Sequence, residues 1–429
     1  MRQQLWRAVA LTSAMLVTGG ALAACGGSDD GPAADGKIHL TIATFNEFGY
    51  ENLIPEYEAS HPNIKIEQTK TGQSAPHHQN LLTKLGAGSG LADIEAIEEG
   101  FLSQVLDKSG QFNDLKEIGP ADVKPERWLK WKADAATTKD GKVIGYGTDI
   151  GPVAMCYRKD LFEAAGLPTD PEQVKAMFAT WDSYFEAGKR FVDNSEVAWF
   201  DSASQVFNVM QNQLPTGYYD TSNNLVIETN AAIKANWDKV TRAVTEGQSA
   251  KLVAWGPEWN TGFKTSAFAT KTCPSWMMGP VEGNSGPENA GKWAITDAVP
   301  GGPTNWGGSY LTVPKQSKHP KEAAELAAWL TAPEQQIKAF KAKGPFPSQL
   351  GALDSPDLLS LANDYFVTPN TAQVFASQAK KVERAQFKGE QDGNIQDNVI
   401  APALQAVEQG TAPDDGWKQA VEGAKKLAK

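Results

Sequence analysis

Few residues of this 429-residue chain have both the type and the setting for chemistry. The cysteines are Cys25, Cys156 and Cys273, and the histidines are His39, His61, His77, His78 and His319. None of them stands in a C-x-x-C or H-x-x-x-H frame, so neither a metal nor a cofactor is expected. The chain also lacks a G-x-S-x-G elbow, an H-E-x-x-H helix and a G-x-x-x-x-G-K-[ST] phosphate loop. What it offers instead is flat aromatic surface, with 13 tryptophans, all but Trp6 after Cys25. That many indoles suggest an aromatic-lined cleft, with some of them packed as core. Cys156 and Cys273 leave two readings open: a disulfide, the simplest outcome in an oxidising compartment, or two buried free thiols.

Composition narrows the setting. Hydrophobic residues make up 41% and charged residues 21%, which is ordinary for a globular chain. The net charge is −11, and the part after Cys25 is more acidic still, because Arg2 and Arg7 precede it. An acidic surface repels phosphate backbones, so no nucleic-acid partner is expected. Arg2, Arg7, a short apolar run over residues 8–21 and Leu22-Ala23-Ala24-Cys25 read as a lipoprotein signal peptide over residues 1–24. Small residues before a cysteine resemble a bacterial lipobox, with Cys25 acylated as the new N-terminus. Residues 25–36 then carry that lipidated cysteine and a flexible tether without large apolar side chains. Two acyl chains hold a protein stably on a membrane. The folded part is therefore expected on the extracellular face of the cell membrane.

The elements that must position the indoles follow from hydrophobic periodicity. Ile38–Phe45 is a β-branched run and predicts a strand. Tyr50, Leu53, Ile54 and Tyr57 recur at helical spacing, and His61-Pro62 ends that helix. Residues 64–67 alternate as a second strand, completing a parallel, right-handed β-α-β unit. A helix over 76–85 and a strand over 92–97 continue the pattern. The alternation predicts an open α/β sheet whose ligand lies beyond the carboxyl ends of its strands, here residues 45–48 and 98–100. Gly- and Pro-rich joins at 145–152, 299–308 and 344–347 predict crossings between lobes. Residues 37–150 with 300–348 form one lobe, and 151–299 with 349–429 the other, joined by a hinge over a cleft. Further helices are expected near 171–178, 181–191 with Thr180 as N-cap, 320–330, and 333–340 with a Thr331–Glu334 capping box. Trp128 and Trp131 read as one buried helical face, Trp181, Trp237, Trp293 and Trp329 as packing, and His77-His78 as solvated.

In this order and spacing the residues resemble a family. The lipobox, the His61-Pro62-x-Ile64-x-Ile66 opening, Ala92-Asp93-Ile94, Tyr157-x-Lys159-Asp160-Leu161, Gly166-Leu167-Pro168 and Thr180-Trp181 carry the resemblance, which spans residues 38–349. They are similar to the extracellular solute-binding proteins of sugar ABC importers, the maltose-binding-protein-like group with its cellobiose- and xylobiose-type actinobacterial lipoproteins. The resemblance implies a periplasmic-binding-protein-like fold of two discontinuous α/β lobes. It also implies a non-enzymatic, lipid-anchored monomer that closes on a di- or trisaccharide and delivers it to the permease subunits.

A sugar ring shows hydroxyls at its rim and apolar C–H groups on its faces, so its site needs indole plates edged by carboxyls and amides. Leaving a buried hydroxyl unpaired costs roughly 1–3 kcal/mol. The resemblance points to Trp276, in Pro274-Ser275-Trp276, as the first plate. Trp306 and Gly307 lie in a loop with too little bulk to bury an indole. Trp199, with Phe200, and the pair Trp255 and Trp259 sit in polar, Gly/Pro-containing segments and are further candidates. For hydrogen bonding the resemblance selects Asn46 and Glu47 after the first strand, and Asp149 stands similarly in the first crossing. Of Glu98 and Glu99, which face opposite sides if still in the strand, Glu99 is preferred. Two rivals stay open. One is a binding protein for another solute, such as a peptide or a polyamine held by cation–π contacts. The other is a tethered glycoside hydrolase, which needs two facing carboxyls about 5 Å or 6.5–9.5 Å apart.

Overall fold

The computed structural model describes residues 35–428, so the leader, Cys25 and most of the tether lie outside the described residues. The strands are β1 Ile38–Phe45, β2 Ile64–Thr71, β3 Ile94–Glu98, β4 Gly145–Gly147, β5 Asp149–Ile150, β6 Val153–Arg158, β7 Ala198–Phe200, β8 Phe268–Pro274, β9 Trp293–Thr296, β10 Ser309–Thr312 and β11 Phe346–Pro347. The first sheet has the order β2-β1-β3-β10-β4, with β1 parallel to β2 and β3 and with β10 antiparallel to both its neighbours. The second has the order β7-β8-β6-β9, with β6 antiparallel to β8 and β9. The chain leaves the first sheet after β4 and enters the second at β6. It returns between β9 and β10. At the exit, β5 pairs with β11, which follows the helix Pro333–Lys343.

Both sheets are covered on both faces, and strand alternation shows why. Along β6, Val153, Met155 and Tyr157 enter one core with the helices Trp181–Val192, Ala203–Asn212 and Ala231–Thr245. Ala154 and Cys156 point the other way, towards Pro257–Lys264 and Thr371–Lys381. In the first sheet Leu40 and Ile42 pack under Leu53–Ser60 and Pro320–Leu330. Ile97 and Tyr310 pack under Ser74–Ala87 and Leu102–Asp107. Cys156 and Cys273 share a face of adjacent strands and are bonded, with Cα atoms 5.5 Å apart. The disulfide is therefore present and the free-thiol reading falls.

Several expectations need correction. His77 and His78 are buried rather than solvated, because their helix lies across the strand ends and both rings pack on Phe45. Thr331 does not open a capping box. Its hydroxyl donates back to the Ala327 carbonyl of the preceding helix, and Pro333 at the first helical position starts the next one from Ala332. Trp128 and Trp131 do not share a helical face. Trp128 ends a short turn before the helix Lys130–Ala135, and the two indoles enter different cores. The Thr180 cap on Trp181–Val192 is present, as a reciprocal box with Ser183.

Candidate functional site

The carboxyl end of β3, the β4–β5 turn and the loop before β10 converge where the chain passes between the sheets. Backbone bonds fix this junction: Thr148 N–H donates to Ser309 at 2.9 Å, Glu99 to Gly308 at 2.9 Å, Val153 to Thr304 at 3.0 Å and Trp306 to Gly151 at 2.8 Å. Two glycines are required for so close an approach. A Cβ on Gly151 would stand 2.0 Å from the Trp306 carbonyl and 2.8 Å from Trp276 Nε1. Gly308, at φ +115°, would drive a Cβ to 2.5 Å from the Asp149 carbonyl.

Against this junction stands a row of indoles. Trp276 lies on a short turn just after β8, and its Nε1–H donates to the Trp306 carbonyl at 3.1 Å. The two rings are nearly perpendicular, 82° apart in plane with centroids 5.5 Å apart, and both are part-exposed. Trp255 lies at 5.9 Å from Trp276 with its ring tilted by 34°, and it is 54% exposed.

Carboxyls and ammonium groups edge the row. Glu98 Oε2 accepts from Gly100 N–H at 2.8 Å, which leaves Oε1 without a hydrogen bond among the described residues. That oxygen lies 3.6 Å from where a Cβ of Gly307 would be, so it borders the Trp276–Trp306 pair. Burial pushes the Glu98 carboxyl up to about 7, with Lys388 opposing. Its backbone is held by His78, whose Nε2 accepts Glu98 N–H at 2.9 Å. An amide can only donate, so Nε2 carries no hydrogen and Nδ1–H faces the Ser74 carbonyl at 2.8 Å. Burial presses His78 down to about 3, which keeps it neutral.

Beneath the carboxyls lies Lys132. It is fully buried, its Nζ sits 3.7 Å over the Tyr310 ring, and neither that Nζ nor the Tyr310 hydroxyl has a hydrogen-bond partner among the described residues. Burial pulls the ammonium down to about 8 against the pull of Glu99, Asp149 and Glu98. The composition of the helix around Lys132 gave no signal for this role, since the lysine is one of several in an amphipathic stretch.

The expected site residues are thus only partly assembled. Trp276, Trp306 and Gly307 come together, and Asp149 stands beside them, accepting from the Thr148 hydroxyl at 2.6 Å. Glu99 is the more enclosed carboxyl of its pair. It is buried, takes the Asn305 amide at 2.6 Å and faces Lys388 at 3.6 Å, whereas Glu98 borders the indoles. Trp199 is a core residue, fully buried among Phe162, Phe178, Tyr184 and Phe191. Trp259 is fully buried as well and offers no face to a ligand, its Nε1–H donating to Asp201 at 2.7 Å. Glu47 is exposed in ion pairs with Lys70 at 3.0 Å and Lys343 at 3.6 Å, and Asn46 is exposed beside it at positive φ. No hydrogen bond or ion pair among the described residues links either one to the indoles.

The chain matches the bacterial extracellular solute-binding protein family over residues 52–364 and belongs to that family. Family membership places the folded part outside the cytoplasm. A crystal structure described as an extracellular solute-binding protein family 1 member is 48% identical, with TM-score 0.86, covering 91% of this chain and all of its own. The arabinooligosaccharide-binding protein of Bacillus subtilis (strain 168) is 28% identical over 322 residues, 71% of each chain. The galacto-N-biose-/lacto-N-biose I-binding protein of Bifidobacterium longum, solved with lacto-N-biose, shares the fold at 18% identity and TM-score 0.75, over 91% of this chain and 98% of its own. The fold is the maltose-binding-protein-like α/β architecture.

Proposed function

We propose that this protein captures a short oligosaccharide outside the cell and hands it to the transmembrane subunits of an ABC-type importer. The observation that carries this reading is the perpendicular Trp276–Trp306 pair with the free Glu98 oxygen at its edge. One indole takes the apolar face of a sugar ring, the other closes its side, and the carboxyl accepts from a rim hydroxyl. The relatives' named ligands, arabinooligosaccharides and lacto-N-biose, are of the same chemical class. Within it, a di- or trisaccharide of the cellobiose or xylobiose kind suits a row of plates.

The lobes, residues 37–150 with 300–348 and 151–299 with 349–429, close about the crossings. The ligand shifts that equilibrium only by fitting the closed arrangement better. Micromolar capture requires about 8 kcal/mol, a sum that two stacked rings and a satisfied rim can reach. Acylated Cys25 holds the monomer at the membrane, and the protein binds without catalysing a reaction.

Calorimetric titration with cellobiose, xylobiose and arabinobiose, repeated on Trp276→Ala and Trp306→Ala, tests the reading. Each substitution is expected to weaken the best ligand at least tenfold. Unchanged affinity in both would remove the plates. Turnover of chromogenic glycosides that depends on Glu98 or Glu99 would favour the hydrolase.

A further inference from the structure

The loop between the helices Ala231–Thr245 and Pro257–Lys264, which carries Trp255, is held in an uphill conformation. Lys251 and Trp255 adopt φ of +58° and +69°, in the left-handed region that side-chain-bearing residues avoid. Such a conformation persists only where its surroundings over-determine it. Here they do. Ala250 N–H donates to the Phe200 carbonyl at 2.8 Å and Leu252 N–H to the Asp201 carbonyl at 3.2 Å. Lys251 N–H donates to Ser249 Oγ at 3.0 Å, and that hydroxyl donates to the buried Glu408.

The ring itself stands on a second indole. Trp255 and Trp259 have centroids 4.8 Å apart, and Trp259 is pinned through Asp201, which pairs with fully buried Lys271 at 3.0 Å. This buried polar structure fixes the backbone beneath an indole that is half in water. Trp255 is the most exposed large hydrophobic side chain among the described residues, and Val253 beside it is exposed too. It does not stand alone on the surface, because Trp276 is its next neighbour in the row.

We infer that Trp255 forms an outer subsite that stacks on the third ring of a linear oligosaccharide, so that this loop sets the chain-length preference. The inference rests on the oligosaccharide reading above. A disaccharide occupies the Trp276–Trp306 seam, and a further ring reaches past Trp276 onto the Trp255 face. The loop, presented already in its bound conformation, loses little freedom when that ring docks.

The test measures affinities of the full protein, Trp255→Ala, Trp255→Phe and Trp276→Ala for xylobiose and xylotriose, cellobiose and cellotriose, and arabinobiose and arabinotriose. Thermal melting checks that each variant is folded. Trp255→Ala is expected to weaken the trisaccharide tenfold or more while leaving the disaccharide within twofold. Trp255→Phe should restore most of the loss, and Trp276→Ala should weaken both lengths. Equal loss for both lengths in Trp255→Ala, or none for either, overturns the outer subsite while leaving oligosaccharide binding intact. If the unmodified protein binds none of these sugars, the oligosaccharide reading itself falls, and the subsite with it.

Discussion

Glu99 and Lys388 approach to 3.6 Å although they belong to opposite sides of the junction. Glu99 follows β3 of the first sheet, whereas Lys388 sits in a segment bonded to residues 211–217 beside the second. Ser103 donates to the Gly389 carbonyl at 2.9 Å and reinforces the same tie. Burial pulls the Lys388 ammonium down, but Glu99, Glu98 and Asp392 outweigh it and leave its pKa raised. Removing one partner of a buried pair costs about 3–5 kcal/mol. Lys388→Met should therefore loosen the tie between the two sides of the junction, raise the radius of gyration in small-angle X-ray scattering and weaken ligand binding at least tenfold. If the scattering and the affinity stay as they were, the pair does not act as a clasp.

Trp199 and Trp276 should separate stability from binding. Trp199 fills the core of the second sheet, so Trp199→Ala is expected to cost about 3–5 kcal/mol. In urea titrations monitored by circular dichroism its midpoint should fall sharply, while the folded fraction keeps its affinity. Trp276→Ala should do the reverse.

Glu408 makes stability depend on pH. Burial pushes its carboxyl from 4.5 up to about 7, against the hydrogen bonds from Ser249 and Ala203. Between those values the folded state holds a proton that the unfolded state has lost, so this group's contribution is largest below pH 4.5 and declines as pH rises to 7. The full span is on the order of 3 kcal/mol. Glu408→Gln keeps the accepting oxygen but cannot ionise. Its melting temperature at pH 8, relative to pH 5, should exceed that of the unmodified protein. Parallel pH profiles for the two proteins would show that Glu408 does not titrate in this window.

The Cys156–Cys273 bond closes a loop of 117 residues in sequence separation, within the buried core of the second sheet. Constraining the unfolded chain over such a loop is worth about 4–5 kcal/mol in the chain-entropy account. The Cys156→Ala, Cys273→Ala double variant should lose most of that in equilibrium unfolding. A loss under 1 kcal/mol would show that strand pairing alone holds β6 to β8.

Gly151→Ala probes the seam without touching an indole. The added methyl meets the Trp306 carbonyl and Trp276 Nε1, so the two crossings must part. Affinity is expected to fall tenfold or more with a smaller change in melting temperature. Retention of full affinity would mean that the perpendicular geometry of the pair is not needed.

What the sequence determined by itself is local. Ile38–Phe45 carries its strand in its own β-branched residues, His61-Pro62 stops a helix by backbone sterics, and Thr180 caps a later one through its own hydroxyl. The crossings near Gly151 and Gly308 were marked by glycine and proline, because a tight approach needs them wherever it falls. Tertiary structure alone decided which side chains face the seam. Trp199 and Trp276 both stand near strand ends, yet one is enclosed by four aromatic rings and the other is left part-open, an outcome set by which helices pack over each strand. Glu98 and Glu99 are adjacent carboxyls, and Asn305 and Lys388, brought from far along the chain, engage one and not the other. Lys132 became part of the floor because its helix packs on β4 and carries the ammonium over Tyr310 of β10. Burial and charge are sums over neighbours in space, and those neighbours do not exist until the chain has folded.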